Sequence, residues 1–157
     1  MVTFAAMAGT SYESLRRFFE SAPAARKATR PLARGARVNL ALDAGPAHFT
    51  MESGAPEVRD GSAEQPDFTL TLPDGAVSRL TELGSEDVGE FGVEFFKLVL
   101  QRDPGMKARI RVDAPTARLL GHGYLAVLAL GGAKVGWWLL KNGVRNPKAA
   151  IDRLRGR

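Results

Sequence analysis

The residues able to do chemistry are few. The 157-residue chain has two histidines, His48 and His122, and no cysteine. That rules out disulfides, thiolate metal sites and cysteine nucleophiles, and it leaves too few imidazoles for a histidine-rich metal site. No serine sits in a GxSxG elbow, no GxxxxGK[ST] loop is present to cradle a phosphate, and no pair of acids shares an apolar setting. GHGYLA at residues 121–126 has the letters of a dinucleotide fingerprint. It lies inside an apolar helical run, however, and no acid follows about 20 residues on, so its context is wrong for a cofactor. His48 falls on the polar side of an alternating run and is expected to be exposed. His122 is expected as a satisfied core or helix-end histidine, the rival being a polar group inside an apolar cavity. No catalytic residue, metal or cofactor is expected.

The elements that would position such groups follow from periodicity. The first ten residues read as a loose lead-in, and Ser11 as the N-cap of a helix running to about Ala22. Leu15, Phe18 and Phe19 share one face of it. Pro23 ends this helix or starts a second, short one. From Arg37 the period becomes two. Val38, Leu40 and Leu42 alternate with polar residues; so do Phe49 and Met51, then a weak edge strand at Val58, then Phe68, Leu70 and Leu72. Together they suggest an antiparallel meander with one apolar face. Pro73-Asp74 opens a helix that Gly84 stops. Ser85 with Glu86 and Asp87 opens another, carrying Phe91, Phe95, Phe96 and Val99. Ala108, Ile110 and Val112 form a last strand whose other side, Lys107, Arg109 and Arg111, must be wet.

The longest apolar run, Leu119–Leu140, has the length of a membrane span and a Gly132/Gly136 GxxxG pair. Lys134 would cost about 2.5–3.5 kcal/mol near a bilayer centre, and the Gly131-Gly132 pair suits a break. Two helices are therefore expected, near 115–130 and 133–142. The net charge is +5, and the tail after Lys141 is basic. Such a balance favours anionic partners. Nucleic acid is not expected, because the aromatics sit in apolar helices rather than among the cations. The opening residues lack a secretory pattern, so a cytoplasmic location is expected, with peripheral membrane contact left open.

The order of helix, four strands, two helices, strand and apolar helix resembles the sterol carrier protein 2-like (SCP2-like) domain. The resemblance covers Leu15 to Leu130. It is carried by PDFTLTLPDGAVSRLTELGSED at residues 66–87 and FGVEFFKLVLQRDPGMKARIRVDAP at 91–115. Asp67, Thr69, Leu70, Thr71 and Leu72 fit the family's "p-D-x-T-[IL]-[TS]-[LV]" strand. Phe95, Phe96, Gly105, Lys107 and Ile110 fit its phenylalanine-rich helix and the strand after it. The spacing from Ser85 to Met106 is longer than usual, Asp113-Ala114 stands where glycine is usual, and residues 133–157 have no family counterpart.

The resemblance implies an α+β fold, a five-stranded, mostly antiparallel sheet with helices covering one face. The SCP2-like part would occupy residues 11–132, followed by a helical basic extension over 133–157. It further implies a cavity for a sterol, fatty acyl or isoprenoid lipid, walled by Phe68, Leu70, Phe91, Phe95, Phe96, Val99, Ile110, Leu120, Tyr124 and Leu128. The same side chains could instead fill an ordinary core. Trp137, Trp138, Lys141 and Arg145 are the expected membrane-docking residues, with a core cap or a homodimer contact as the rival role. Three functions stay open: non-catalytic carriage of a hydrophobic molecule, presentation of a quinone-type intermediate to biosynthetic enzymes, and a membrane-associated interaction module with a filled core.

Overall fold

Each period-two run forms a strand, and the strands join into one sheet. The computed structural model describes residues 4–84, 86–124, 126 and 141. In chain order the elements are α1 (Phe4–Ser21), α2 (Pro23–Thr29), β1 (Arg37–Leu42), β2 (Gly45–Thr50), β3 (Glu57–Asp60), β4 (Phe68–Leu72), α3 (Asp74–Thr81), α4 (Val88–Val99), β5 (Arg109–Val112) and α5 (Thr116–Gly121). The class is α+β, with a five-stranded, mostly antiparallel sheet, as the sequence implied.

The strand order is β3-β2-β1-β4-β5, so the first four strands are not a simple meander. β1 pairs antiparallel with β2 but parallel with β4, in the register Leu40↔Leu70 and Leu42↔Leu72. The chain leaves β3 at one edge and re-enters beyond β1, three strand spacings or about 14 Å sideways. Residues 61–67 bridge that gap, and the polar sheet face holds them. His48 Nδ1 pairs with the Gly61 carbonyl (2.9 Å). Asn39 accepts from the Ala63 amide (2.7 Å) and donates to its carbonyl (3.4 Å). Arg37 donates to the Glu64 carbonyl (3.1 Å). His48 is accordingly half-buried under this loop, not simply exposed.

The opposite face is apolar. In register across it lie Val58, Phe49, Val38, Phe68 and Val112 in one row, with Ala47, Leu40, Leu70 and Ile110 in the next. On its β1–β3 side Val38 is half-buried, while Leu40, Phe49 and Val58 are 2%, 4% and 2% exposed. Burial on this scale stabilises by about 1.5–3 kcal/mol per side chain. α1 supplies the cover, packing on β3 and α3. The Phe19 and Phe49 rings meet at 5.0 Å, and the Tyr12 hydroxyl donates to the Val58 carbonyl (3.3 Å).

Several helix ends differ from expectation. α1 begins at Phe4, so residues 4–10 are helical and no loose lead-in. Ser11 is a buried mid-helix residue whose hydroxyl donates to Asp74 Oδ1 at 2.5 Å, across to α3; tertiary contact took the hydroxyl that suggested a cap. Pro23 does start a second short helix. α4 is capped by Asp87, which accepts from the Gly89 amide (2.8 Å), and begins at Val88, three residues after Ser85. The helix expected over 115–130 is interrupted after α5. Gly123 adopts φ +90°, and a Cβ there would stand 2.1 Å from the Pro31 carbonyl oxygen. Only glycine permits both the turn and the contact. The chain is helical again at Tyr124 and Ala126. The Gly131-Gly132 break and the helix near 133–142 lie outside the described residues, apart from Lys141. Among the described residues no helix is long and apolar enough to cross a membrane.

Candidate functional site

The interrupted helix brings together a polar cluster that sequence reasoning missed. Asp67 stands at the entry to β4, between Pro66 and Phe68, and is fully buried. Its backbone is held first: its amide donates to the Arg37 carbonyl (2.8 Å), and its carbonyl accepts from the Asp113 and Ala114 amides (3.0 and 3.2 Å). Its carboxylate is then saturated. Arg118 Nε donates to Oδ1 (3.1 Å), while His122 Nδ1 (2.8 Å), the Tyr124 hydroxyl (2.8 Å) and the Arg37 amide (3.3 Å) converge on Oδ2. Arg118 also donates to the Gln65 and Pro66 carbonyls. Buried charge is tolerated only with partners of this kind.

The local sequence explains the geometry. Arg118 and His122 are four residues apart on α5 and its C-cap, hence on one face. The Gly123 turn re-aims the chain so that Tyr124 arrives from a different direction. Burial, and then the Asp67 carboxylate, push the Tyr124 phenol far above its ordinary value, so it remains a donor. Pairing with a carboxylate puts the imidazole proton of His122 on Nδ1. Its Nε2 faces Gly35, where an added Cβ would stand 3.1 Å away. The cluster is a tie between β4, β1 and the C-terminal part of the chain, and His122 is the satisfied helix-end histidine that the sequence suggested. The residue spacing of Arg118, His122 and Tyr124 was visible beforehand. That Asp67 receives all three was not.

The apolar residues expected to wall a cavity fall into two groups. Phe68 meets Tyr124 edge-on, with ring centroids 4.8 Å apart, beside a small core of Val112, Ala114 and Leu119. Leu70 and Ile110 are cross-strand neighbours on the helix-covered face. On α4, Phe91 packs on Phe18 at 5.1 Å and Phe95 meets Phe96 at 5.6 Å, with Val99 one turn on. All of these, Tyr124 included, are half-buried, as is Val38 on β1, whereas Leu40, Phe49 and Val58 are sealed. α4 packs mainly against α2 and α3, and the Arg79–Glu94 pair (2.6 Å) joins it to α3.

Compared with known protein families, curated proteins and solved structures, this chain matches none.

Leu120 departs from its expected place. It is 56% exposed, because α5 turns the adjacent Leu119 into the small core instead. Leu128, Trp137, Trp138 and Arg145 lie outside the described residues; Lys141 is helical and exposed. Arg109 and Arg111 are exposed as expected, although Arg111 is engaged by Asp113 (2.7 Å) and Thr69 (3.2 Å). A hollow of about 320 Å³ opens elsewhere, at the tip of the β1–β2 hairpin, lined by Tyr12, Leu42, Ala44, Gly45, Pro46, Ala47 and Asp60. None of the expected wall residues borders it. No group of three or more metal-ligating side chains occurs among the described residues.

Proposed function

We propose that this chain binds a hydrophobic small molecule, of the sterol, fatty acyl or isoprenoid class, between the sheet and its helices, and carries it without chemical change. The observation that carries this is the uneven closure of the apolar face. Leu40, Phe49 and Val58 are sealed, whereas Phe68, Leu70 and Ile110 on the β4–β5 side of the sheet, and Phe91, Phe95, Phe96 and Val99 on α4, are each half-buried. A ligand there is retained by area alone, about 0.8 kcal/mol for each buried CH₂, without a polar clasp. The SCP2-like landmarks point the same way through Leu70 of the strand motif, which is one of these half-buried residues.

Native mass spectrometry of the purified chain, followed by titration with a fluorescent fatty acid, tests the proposal. A co-purified lipid, or saturable probe binding that Leu70→Asp or Phe95→Asp abolishes, is the expected result. A clean apo mass with no probe binding would sink it.

A further inference from the structure

Two stretches of the chain are equally basic, the tail from Lys141 and residues 16–34, and the second lies within the described residues. Between residues 16 and 34 stand Arg16, Arg17, Arg26, Lys27, Arg30 and Arg34, opposed only by Glu20; that net +5 equals the charge of the whole protein. All six cationic side chains are exposed. α2 shows how the fold sorts them. Ala24, Ala25 and Thr29 are buried, Thr29 by bonding back to the Ala25 carbonyl (2.9 Å), which leaves Arg26 and Lys27 on the outside. Arg26 donates to the Glu20 carbonyl (2.8 Å) and so fixes α2 to the end of α1. Glu20 itself is taken by Arg16 (3.2 Å), and no ion pair among the described residues engages Arg17, Lys27 or Arg30.

We infer that this corner of α1 and α2 is a docking surface for an anionic phospholipid bilayer. The choice of a bilayer over another polyanion rests on the proposed carriage of a hydrophobic molecule: α2 packs directly on α4, which carries the half-buried Phe91 and Phe95. The form of the surface agrees. α2 is seven residues long, and its hidden side is alanine, so it offers neither a helix for a nucleic-acid groove nor aromatics for stacking bases. It has no large apolar side to insert, which makes the contact electrostatic and salt-sensitive. It draws on different residues from Trp137, Trp138, Lys141 and Arg145 of the C-terminal extension.

Co-sedimentation of the full chain with vesicles of equal parts phosphatidylserine and phosphatidylcholine tests it, against vesicles of phosphatidylcholine alone. Binding to the anionic vesicles only, lost in high salt, is expected. Each cation contributes about fivefold in affinity, so Arg17→Glu/Lys27→Glu/Arg30→Glu should weaken binding by on the order of a hundredfold or more. Should that variant melt early, the Gln triple at the same positions replaces it and should still weaken binding by about a hundredfold. Reversal of Lys141, Arg145, Lys148 and Arg153 should leave most of the binding in place. Unchanged binding in the α1–α2 variant would overturn the inference, as would loss on reversing the tail alone, or capture of an oligonucleotide by a wild type that ignores vesicles. Fluorescent fatty acid binding in vesicle-free buffer reads the ligand proposal separately, so either can fail without the other.

Discussion

Replacing Asp67 by Asn keeps the shape of the polar tie and removes its charge. The carboxylate accepts from Arg118, His122, Tyr124 and the Arg37 amide, and its side chain is 1% exposed, so no water can substitute. In Asp67→Asn one oxygen remains, while an amide NH₂ now faces groups that had been donors. Losing one partner of a buried pair costs about 3–5 kcal/mol where both members are desolvated. Arg118 is 33% exposed and recovers some hydration, and the Tyr124 hydroxyl can rotate to accept, so the lower end applies. The expected loss is about 3 kcal/mol, a large part of the roughly 5–15 kcal/mol available to a domain. Urea unfolding followed by circular dichroism measures it, with the slope unchanged and the midpoint lowered. Tyr124→Phe removes one donor and keeps the ring against Phe68; it should cost about 1.5 kcal/mol alone and much less in the Asp67→Asn background. A midpoint for Asp67→Asn indistinguishable from wild type would refute the argument that this carboxylate ties the fold together.

Other outcomes follow from single contacts. Gly123→Ala forces a side chain into φ +90° and against the Pro31 carbonyl, at a cost of at least about 2 kcal/mol, visible as a lower melting temperature. Asn39→Ala should cost about 1–2 kcal/mol and speed hydrogen exchange at the Ala63 amide, which Asn39 accepts. The raised phenol of Tyr124 gives a pH dependence of definite sign. The folded state keeps the proton that the unfolded chain releases above the ordinary phenol value of 10.0, so stability present below that pH declines as pH rises past it. Urea midpoints across that range should fall in wild type and fall less in Tyr124→Phe.

Much of the sheet was legible because alternation is a local property. Val38/Leu40/Leu42, Phe68/Leu70/Leu72 and Ala108/Ile110/Val112 each declare their apolar side, and those sides share the buried face. The pairing of β1 with β4 was not legible. Nothing within either strand distinguishes a parallel neighbour from an antiparallel one, and the deciding contacts, Asn39 to Ala63 and His48 to Gly61, join residues far apart in sequence. Helix starts failed for a related reason. Ser11 has the chemistry of an N-cap but spends its hydroxyl on Asp74, while Asp87, two residues past Ser85, does cap α4. Asp67 illustrates the harder case. It could be placed in a strand motif, yet its three side-chain partners lie more than fifty residues away and come together only because Gly123 turns the chain toward Pro31.

The loop over the polar face also imposes an order on folding. The β1–β2–β3 hairpins close over short separations and can form early, whereas β4 reaches its place only after residues 61–67 have crossed two strands. The Asp67 tie needs the chain as far as Tyr124, so it belongs to the last contacts made. Late contacts weigh on the rate of unfolding rather than of folding. In a denaturant-jump experiment Asp67→Asn should therefore steepen the escape from the native state, with refolding nearly as fast as wild type. The residues holding β4 beside β1 then act chiefly as a brake on opening, which sets how long the folded chain persists.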